Sequence, residues 1–581
     1  MDSPVRSGGP AAPAPDVSVV MAVRDSMPYL VACLRSLFSQ SLGPSRLEVI
    51  AVDAGSTDGS GRELDRWAGR HPRLTVRHLA AAGGPGGHHP YEEALAQARN
   101  QALDLARGRY VFVVEPDDFL GEEALERLVA MADAQGSDIT LGKHVGVGRP
   151  VATRDHRHAE RVDPADTEVY RRLDPMKLFR RRLLVRNGIY FPTDLPRGGE
   201  QVFTARAYLA ADTVSAVGDY DCYHVRHRER PHDGRPVPAD APIAYIERLM
   251  ELVGTSDADP DVRRTMLAHL FRALTEDVLA VAEHVDPDHT DRQAVRARAA
   301  RLCDTWWDDA LEQGLAPLTR LRLHCFRTGR HAALRNLFAH DPAHSPPATT
   351  VLKGRAYLRL PYFRDPAVGL PDALYDITGE LRVVHELERV EWSRGVLRLT
   401  GRARIDGLAT GYRGTELIAR ERATGAEHRV QVRGTANSPS VQSGSPRRET
   451  LVARRADGFT ASLDLASAAD GAPLGPGIWD LHLSVHAEGI RKRVRLGARR
   501  ADAVDLTARR GHVVAPAGRP GRPDLVAHLF WTDPHGNLSV EVGHRLPLPD
   551  APDPRQGRGG GLWTRTVLSP RISRLGRSVR T

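Results

Sequence analysis

Cysteine is scarce in this chain: Cys33, Cys222, Cys303 and Cys325 are the only four in 581 residues, and none lies at the spacing of a zinc site or a redox motif. A disulfide framework is excluded, and a reducing compartment fits. No stretch approaches the roughly 18–20 consecutive apolar residues needed to cross a bilayer. Residues 1–16, rich in Pro, Ala and Gly, lack the apolar segment of a secretory signal and read as a disordered leader. The expected location is cytoplasmic. Charge of one sign is also lacking: 81 basic residues face 73 acidic ones, largely interspersed. That balance gives no footprint for a nucleic-acid partner. The exception is the end of the chain, where Arg565, Arg571, Arg574, Arg577 and Arg580 occur without an acid among them. Such a segment reads as a solvated tail, with peripheral contact to anionic lipid at the inner face of the membrane as the alternative.

What is present belongs to a folded, modular protein. Hydrophobic residues make up 41% and charged residues 27%, the balance of a globular chain, and 581 residues exceed what one core can serve. From residue 17 to 142 the pattern alternates strand and helix, which predicts an α/β unit with a largely parallel sheet. Strands are expected at Val17–Val23, 47–52, Leu74–His78 and 110–114. Asp25 or Ser26 is expected to cap the first helix, with Pro28 in its first turn. Helices are further expected at 92–106, 176–185 and 200–211. From 241 to about 339 the period is helical throughout. Beyond about 349 it changes to two, with Trp479, Leu481, Leu483 and Val485 on one face, which predicts a β-sandwich. The resulting division is a leader (1–16), an α/β domain (17–235), a helical linker (236–376), a β-sandwich (377–545) and a Pro/Gly linker with a basic tail (546–581).

Two acidic clusters leave strand ends on one edge of the expected sheet: Asp53, opening Asp-Ala-Gly-Ser-Thr-Asp-Gly, and Glu115-Pro116-Asp117-Asp118. In open α/β sheets that edge is where ligands bind. Carboxylates there suit a hard divalent cation, which takes carboxylate oxygens and bridges phosphate oxygens. Taken singly, each cluster also reads as a turn or a helix cap.

Four motifs in order raise the specificity. Val19-Val20-Met21-Ala22-Val23-Arg24-Asp25, residues 52–60, Ala98-Arg99-Asn100-Gln101-Ala102-Leu103 followed by Ala106-Arg107-Gly108-Arg109-Tyr110, and residues 115–118 resemble the motifs of family 2 glycosyltransferases. The resemblance implies a GT-A (Rossmann-like) catalytic domain, a UDP-sugar donor such as UDP-GlcNAc, a divalent metal (Mn²⁺ or Mg²⁺) and inversion at the transferred sugar. It implies donor contacts at Ala22, Val23, Asp25, Asp53, Arg99 and Asp117, with Asp53 accepting a hydrogen bond from the base. It implies metal contacts at Asp117, Glu115 and His224, and Glu200 as the general base for the acceptor hydroxyl. Glu115, Ala54 and Gly199 each replace an acid of the family pattern.

The likeness extends further. Residues 175–181, 188–192, 200–203, 219–223 and 356–363 resemble the wall teichoic acid glycosyltransferases that decorate poly(ribitol phosphate). In those proteins a helical linker and immunoglobulin-like modules follow the catalytic domain, which implies a polyol-phosphate or other glycan acceptor and a homo-oligomer, a trimer, through the β-sandwich. Processive membrane synthases are excluded by the missing membrane helices and Gln-x-x-Arg-Trp motif. A dinucleotide-binding dehydrogenase is excluded because Arg24-Asp25-Ser26-Met27 stands where Gly-x-Gly-x-x-Gly would follow the first strand. The rival from another class is a pseudoenzyme or binding protein that recognises nucleotide and surface polymer without turnover.

Overall fold

The structure is a computed structural model. It describes residues 14–79, 90–151, 158–163, 167–227, 240–284, 290–342, 344–393, 395–408, 414–435, 458–501, 504, 512–515, 525–532 and 536–544. The leader, the glycine-rich segment at 83–87 and the basic tail lie outside the described residues. The chain divides into two compact units: one runs to Pro347 and includes Arg359–Tyr375, and the other comprises Ala348–Leu358 and the chain from Asp376 onward.

The first unit is built on an eight-stranded mixed sheet. Its elements are β1 (Val17–Val23), α1 (Leu30–Phe38), β2 (Leu47–Asp53), α2 (Ser60–Ala68), β3 (Leu74–His78), α3 (Pro90–Leu105), β4 (Tyr110–Val113), β5 (Phe119–Leu120), α4 (Ala124–Gln135), β6 (Ile139–Val147), α5 (Thr167–Tyr170), β7 (Leu178–Arg180), α6 (Arg181–Arg186), α7 (Gly199–Ala210) and β8 (Val214–Arg226). The strand order is β3-β2-β1-β4-β7-β6-β8-β5. Every residue of β1, β2 and β4 is buried. That matches their continuous apolar runs, as expected of parallel strands covered on both faces.

A polar knot ties this centre together. Ser18 Oγ donates to Glu48 Oε1 at 2.6 Å, and the amides of Arg107 and Gly108 reach the same pair at 2.8 and 2.7 Å. Burial alone would raise the Glu48 pKa, but these donors hold it below its usual value. The Ala-Arg-Gly-Arg-Tyr turn is therefore the clamp between α3 and the β1–β2 pair.

Two local expectations are corrected. Residues 176–185 do not form one helix: Leu178–Arg180 pair antiparallel with β4 and β6, and only Arg181–Arg186 are helical. Leu178 and Phe179 are 1% and 0% exposed; a short apolar run buried on both sides has no period that separates strand from helix. Nor do Asp25 or Ser26 cap α1, which starts after Tyr29 without a side-chain cap. Asp25 sits at φ 48° and uses Oδ1 to accept from Thr57 N (2.7 Å), Thr57 Oγ1 (3.1 Å) and Asp58 N (3.2 Å). It clamps two loops at the sheet edge.

Helices from Ala241–Gly254 to His331–Ala339 complete the first unit. The helix α8 (Ala241–Gly254) packs on α7. Tyr245 lies so close to Gly198 that a Cβ there would come within 2.5 Å of its Cβ and Cγ, and Gly198 has φ +84°. The linker thus buttresses the residue that launches α7.

The second unit is β-rich. A four-stranded sheet (Val383–Ser393, Val396–Ile405, Gly458–Asp464, Arg433–Thr435) and a seven-stranded sheet centred on Glu416–Glu421, Gly477–Ala487 and Leu538–His544 share one core. Leu397, Leu399, Phe459 and Leu463 come from one sheet, and Leu417, Leu481, Leu483, Val485 and Val540 from the other. This is the sandwich that the period-two pattern expects.

Gly198→Ala is expected to destabilise the protein by roughly 2 kcal/mol or more, left-handed strain plus a forced shift of Tyr245. Gly188→Ala, at φ +57° with nothing within 4 Å, should cost only about 1 kcal/mol. Chemical unfolding of the two variants measures the difference.

Candidate active site

Parallel pairing sets the ends of β1, β2 and β3 side by side: Val23 is opposite Asp53, and Asp53 is opposite His78. β4 runs parallel on the other flank of β1 and carries the 115–118 turn to the same edge. Ala22 and Val23 bury their side chains there, and the Val23 carbonyl accepts from Ala54 N at 2.8 Å, so this stretch is the floor of the edge. Asp53 is 5% exposed; Oδ1 accepts from Ser56 N at 2.9 Å and Oδ2 lies 3.0 Å from His78 Nδ1.

Across the edge, Arg99 on α3 is 3% exposed. Its Nη2 donates to Glu115 Oε1 at 2.9 Å and reaches Glu200 Oε1 at 2.6 Å. One guanidinium thus joins the end of β4 to the first turn of α7. The next residue secures the approach: Asn100 exchanges two hydrogen bonds of 2.8 Å with the Phe191 backbone, and the Phe191 ring stacks on Phe203 of α7 at 4.0 Å. The Arg-Asn pair is therefore the joint on which Glu200 is mounted.

Burial pushes the Glu200 carboxyl up to about 7; Arg99 opposes the rise, and the negative charge of Glu115 adds to it. Asp118, 5% exposed, is also pushed up to about 7, by burial and then by Asp117 and Glu115, although its Oδ1 accepts from Arg226 N at 2.8 Å. The Tyr223 hydroxyl accepts from Glu115 N at 3.1 Å and bonds Asp118 as well. His224 stands opposite Phe119 in the β5–β8 pair, its ring stacked on the Phe119 ring at 4.5 Å. Arg226 lies over the rings of Phe119 and Tyr29 at 5.0 and 5.5 Å, a cation beside the acidic turn.

The motif at 175–181 has its own task. Lys177, fully buried, forms an ion pair with Asp174 Oδ1 at 3.0 Å and holds that carboxyl well below the usual range, against a burial effect that would raise it. Asp174 in turn adds negative potential at Glu200.

The edge gathers Asp53, Glu115, Asp117, Asp118, Arg99 and Glu200. Among the described residues no three His, Cys, Asp or Glu side chains are grouped to hold a cation unaided. Three carboxylates on one turn, one of them pushed up by burial and then by the charge of the others, nevertheless suit a hard cation that draws its remaining oxygens from a diphosphate. His78 and Asp65 were not singled out from sequence, and Tyr223 only as part of the 219–223 motif. The available signal for His78 was its place at the end of β3, level with Asp53.

Residues 18–190 match the family model Glycosyl transferase family 2, residues 241–338 the TarS linker domain of glycosyl transferases, and residues 375–542 the TarS beta-glycosyltransferase C-terminal domain 1. Residues 18–190 thus resemble a family 2 glycosyltransferase domain, and the chain is a glycosyltransferase. More narrowly, its order of domains resembles that of the poly(ribitol-phosphate) glycosyltransferases. A Bacillus spizizenii poly(ribitol-phosphate) beta-glucosyltransferase is 26% identical over 544 residues, covering 90% of this chain and 78% of the relative. The Staphylococcus aureus poly(ribitol-phosphate) beta-N-acetylglucosaminyltransferase TarS is 33% identical over 218 residues, 37% of this chain and 36% of that one. The crystal structure of S. aureus TarS 1-349 in complex with UDP-GlcNAc shares the fold, with a TM-score of 0.50 at 23% identity over 60% of this chain and 97% of that one.

Carboxyl titration followed by NMR should find Glu200 titrating near 7. Arg99→Gln removes the cation that favours the ionised form, so the midpoint should move to higher pH.

Proposed function

We propose that this enzyme transfers a sugar from a UDP-sugar, UDP-GlcNAc or a close relative, to a hydroxyl of a poly(polyol phosphate) of the teichoic acid class, with inversion. The observation that carries this reading is the Arg99 bridge, which sets a carboxyl of raised pKa beside the acidic turn. The relatives named above, whose names specify poly(ribitol phosphate), support the acceptor. A UDP-sugar donor makes the cytoplasm the site of reaction.

In this mechanism Asp53 accepts the N–H of the uracil, and the 22–25 floor carries the nucleotide. Asp117, with Glu115, would hold a divalent cation, Mn²⁺ or Mg²⁺, which when bound supplies charge neutralisation to the departing diphosphate. His224, whose ring face stacks on Phe119, is the remaining candidate ligand of that ion. The acceptor oxygen attacks the anomeric carbon from the face opposite the diphosphate, the bond from that carbon to the diphosphate oxygen breaks, and the acceptor proton passes to Glu200. A base with a pKa near 7 is well matched to this task, because it is substantially ionised at neutral pH and above yet retains proton affinity. Arg99 keeps the carboxylate aimed, and Arg226 stands where negative charge develops.

Purified enzyme with Mn²⁺ should release UDP from UDP-GlcNAc when poly(ribitol phosphate) is supplied, and EDTA should stop it. Glu200→Gln should lower kcat by roughly 100-fold or more, the usual worth of a general base, and Asp117→Ala should abolish turnover. Since the working form of Glu200 is the carboxylate, kcat should fall as pH drops through about 7. Nucleotide binding without turnover across a panel of UDP-sugars and polyol-phosphate acceptors would instead support a binding protein.

A further inference from the structure

His78 is absent from the mechanism above, yet it touches the residue assigned to the base. Its Nδ1 lies 3.0 Å from Asp53 Oδ2 and its Nε2 lies 3.1 Å from Asp65 Oδ1. Carboxylate oxygens only accept, so both contacts are satisfied together only by the doubly protonated ring. The two carboxylates favour that form and raise the His78 pKa. With Ser56 N on Oδ1 and His78 on Oδ2, each oxygen of Asp53 has one lone pair committed. The carboxylate cannot rotate without losing one of these bonds.

The fit is close from below as well. Gly61, in the first turn of α2, would bring a Cβ within 2.6 Å of Asp53 Oδ2 and 3.4 Å of His78 Cε1. On its outer side the ring borders an open cavity of about 460 Å³, lined also by Ser56, Thr57, Arg62 and Asp65, and 44% of the side chain is exposed. The histidine is therefore no part of the core, and a truncated side chain leaves only a wider cavity.

We propose that His78 is a positioning residue for the donor: braced by Asp65, it locks the Asp53 carboxylate in the orientation that accepts an N–H from the nucleotide base. This rests on the reading of Asp53 as the base contact. A fixed carboxylate admits a base that presents a ring N–H, as uracil does, and repels one that presents a ring nitrogen lone pair, as cytosine does. A carboxylate free to turn discriminates less. The lock therefore acts on donor affinity and base choice, and leaves the transfer step alone.

Calorimetric titration with UDP and CDP, with KM and kcat for the UDP-sugar, tests this in the full chain. His78→Ala should raise Kd for UDP and KM by roughly ten-fold, the worth of a charge-assisted bond, with kcat held within about two-fold. The preference for UDP over CDP should narrow. His78→Gln, which keeps an N–H donor, should restore most of the affinity. Asp65→Ala should produce a smaller loss in the same direction, and Gly61→Ala, which displaces the carboxylate by contact, should resemble His78→Ala. Unchanged UDP affinity in His78→Ala, with or without a lower melting temperature, overturns the proposal. If Asp53→Ala still weakens UDP binding in that case, the base contact stands and only the histidine's role falls; if it does not, both fall.

Discussion

The site depends on one guanidinium held between two carboxylates. Arg99 is nearly inaccessible to water, so leaving it unpaired would cost several kcal/mol. Both of its partners come from other elements, Glu115 from the end of β4 and Glu200 from α7. The cost of burying the cation therefore enforces a distance between a metal-type turn and a candidate base that are 85 residues apart in the chain. The longer side chain of Glu115, where the family pattern has aspartate, is the one that makes this contact.

Acids crowd the same edge, and their surroundings divide them into classes. Asp25 and Asp53 are committed to backbone amides of the loops beside them. Asp118, buried, and Glu200, half-buried, both lie near other negative charges, and both are pushed up to about 7. Carboxylates with such different environments can serve different tasks within one cleft. Cations are placed between the groups, Arg99 on one side and Arg226 over the aromatic rings at the acidic turn, and His78 stands beside Asp53.

The helical linker takes part in this geometry. By pressing Tyr245 against Gly198 it supports the start of α7, so a segment far from the chemistry fixes the residue from which Glu200 is presented. This explains physically why the catalytic and linker segments form one compact unit, while the β-sandwich has a core of its own.

The parallel core was legible in the sequence because strands buried on both faces must be continuously apolar, and the sandwich because period two survives wherever one face is wet. The clusters at Asp53 and at 115–118 were legible because strand ends and turn residues mark the ligand edge. Residues 176–185 were misread, since Leu178 and Phe179 owe their strand to pairing partners distant in the chain. Asp25 looked like a cap because its true partners, the amides of Thr57 and Asp58, meet it only after β1 and β2 pair. What the sequence by itself determined was which residues could do chemistry and on which edge of the sheet they emerge. Only the tertiary structure decided that Arg99 would be shared by Glu115 and Glu200 and that His78 would reach Asp53, because hydrogen bonds between distant segments leave no periodic trace in the chain.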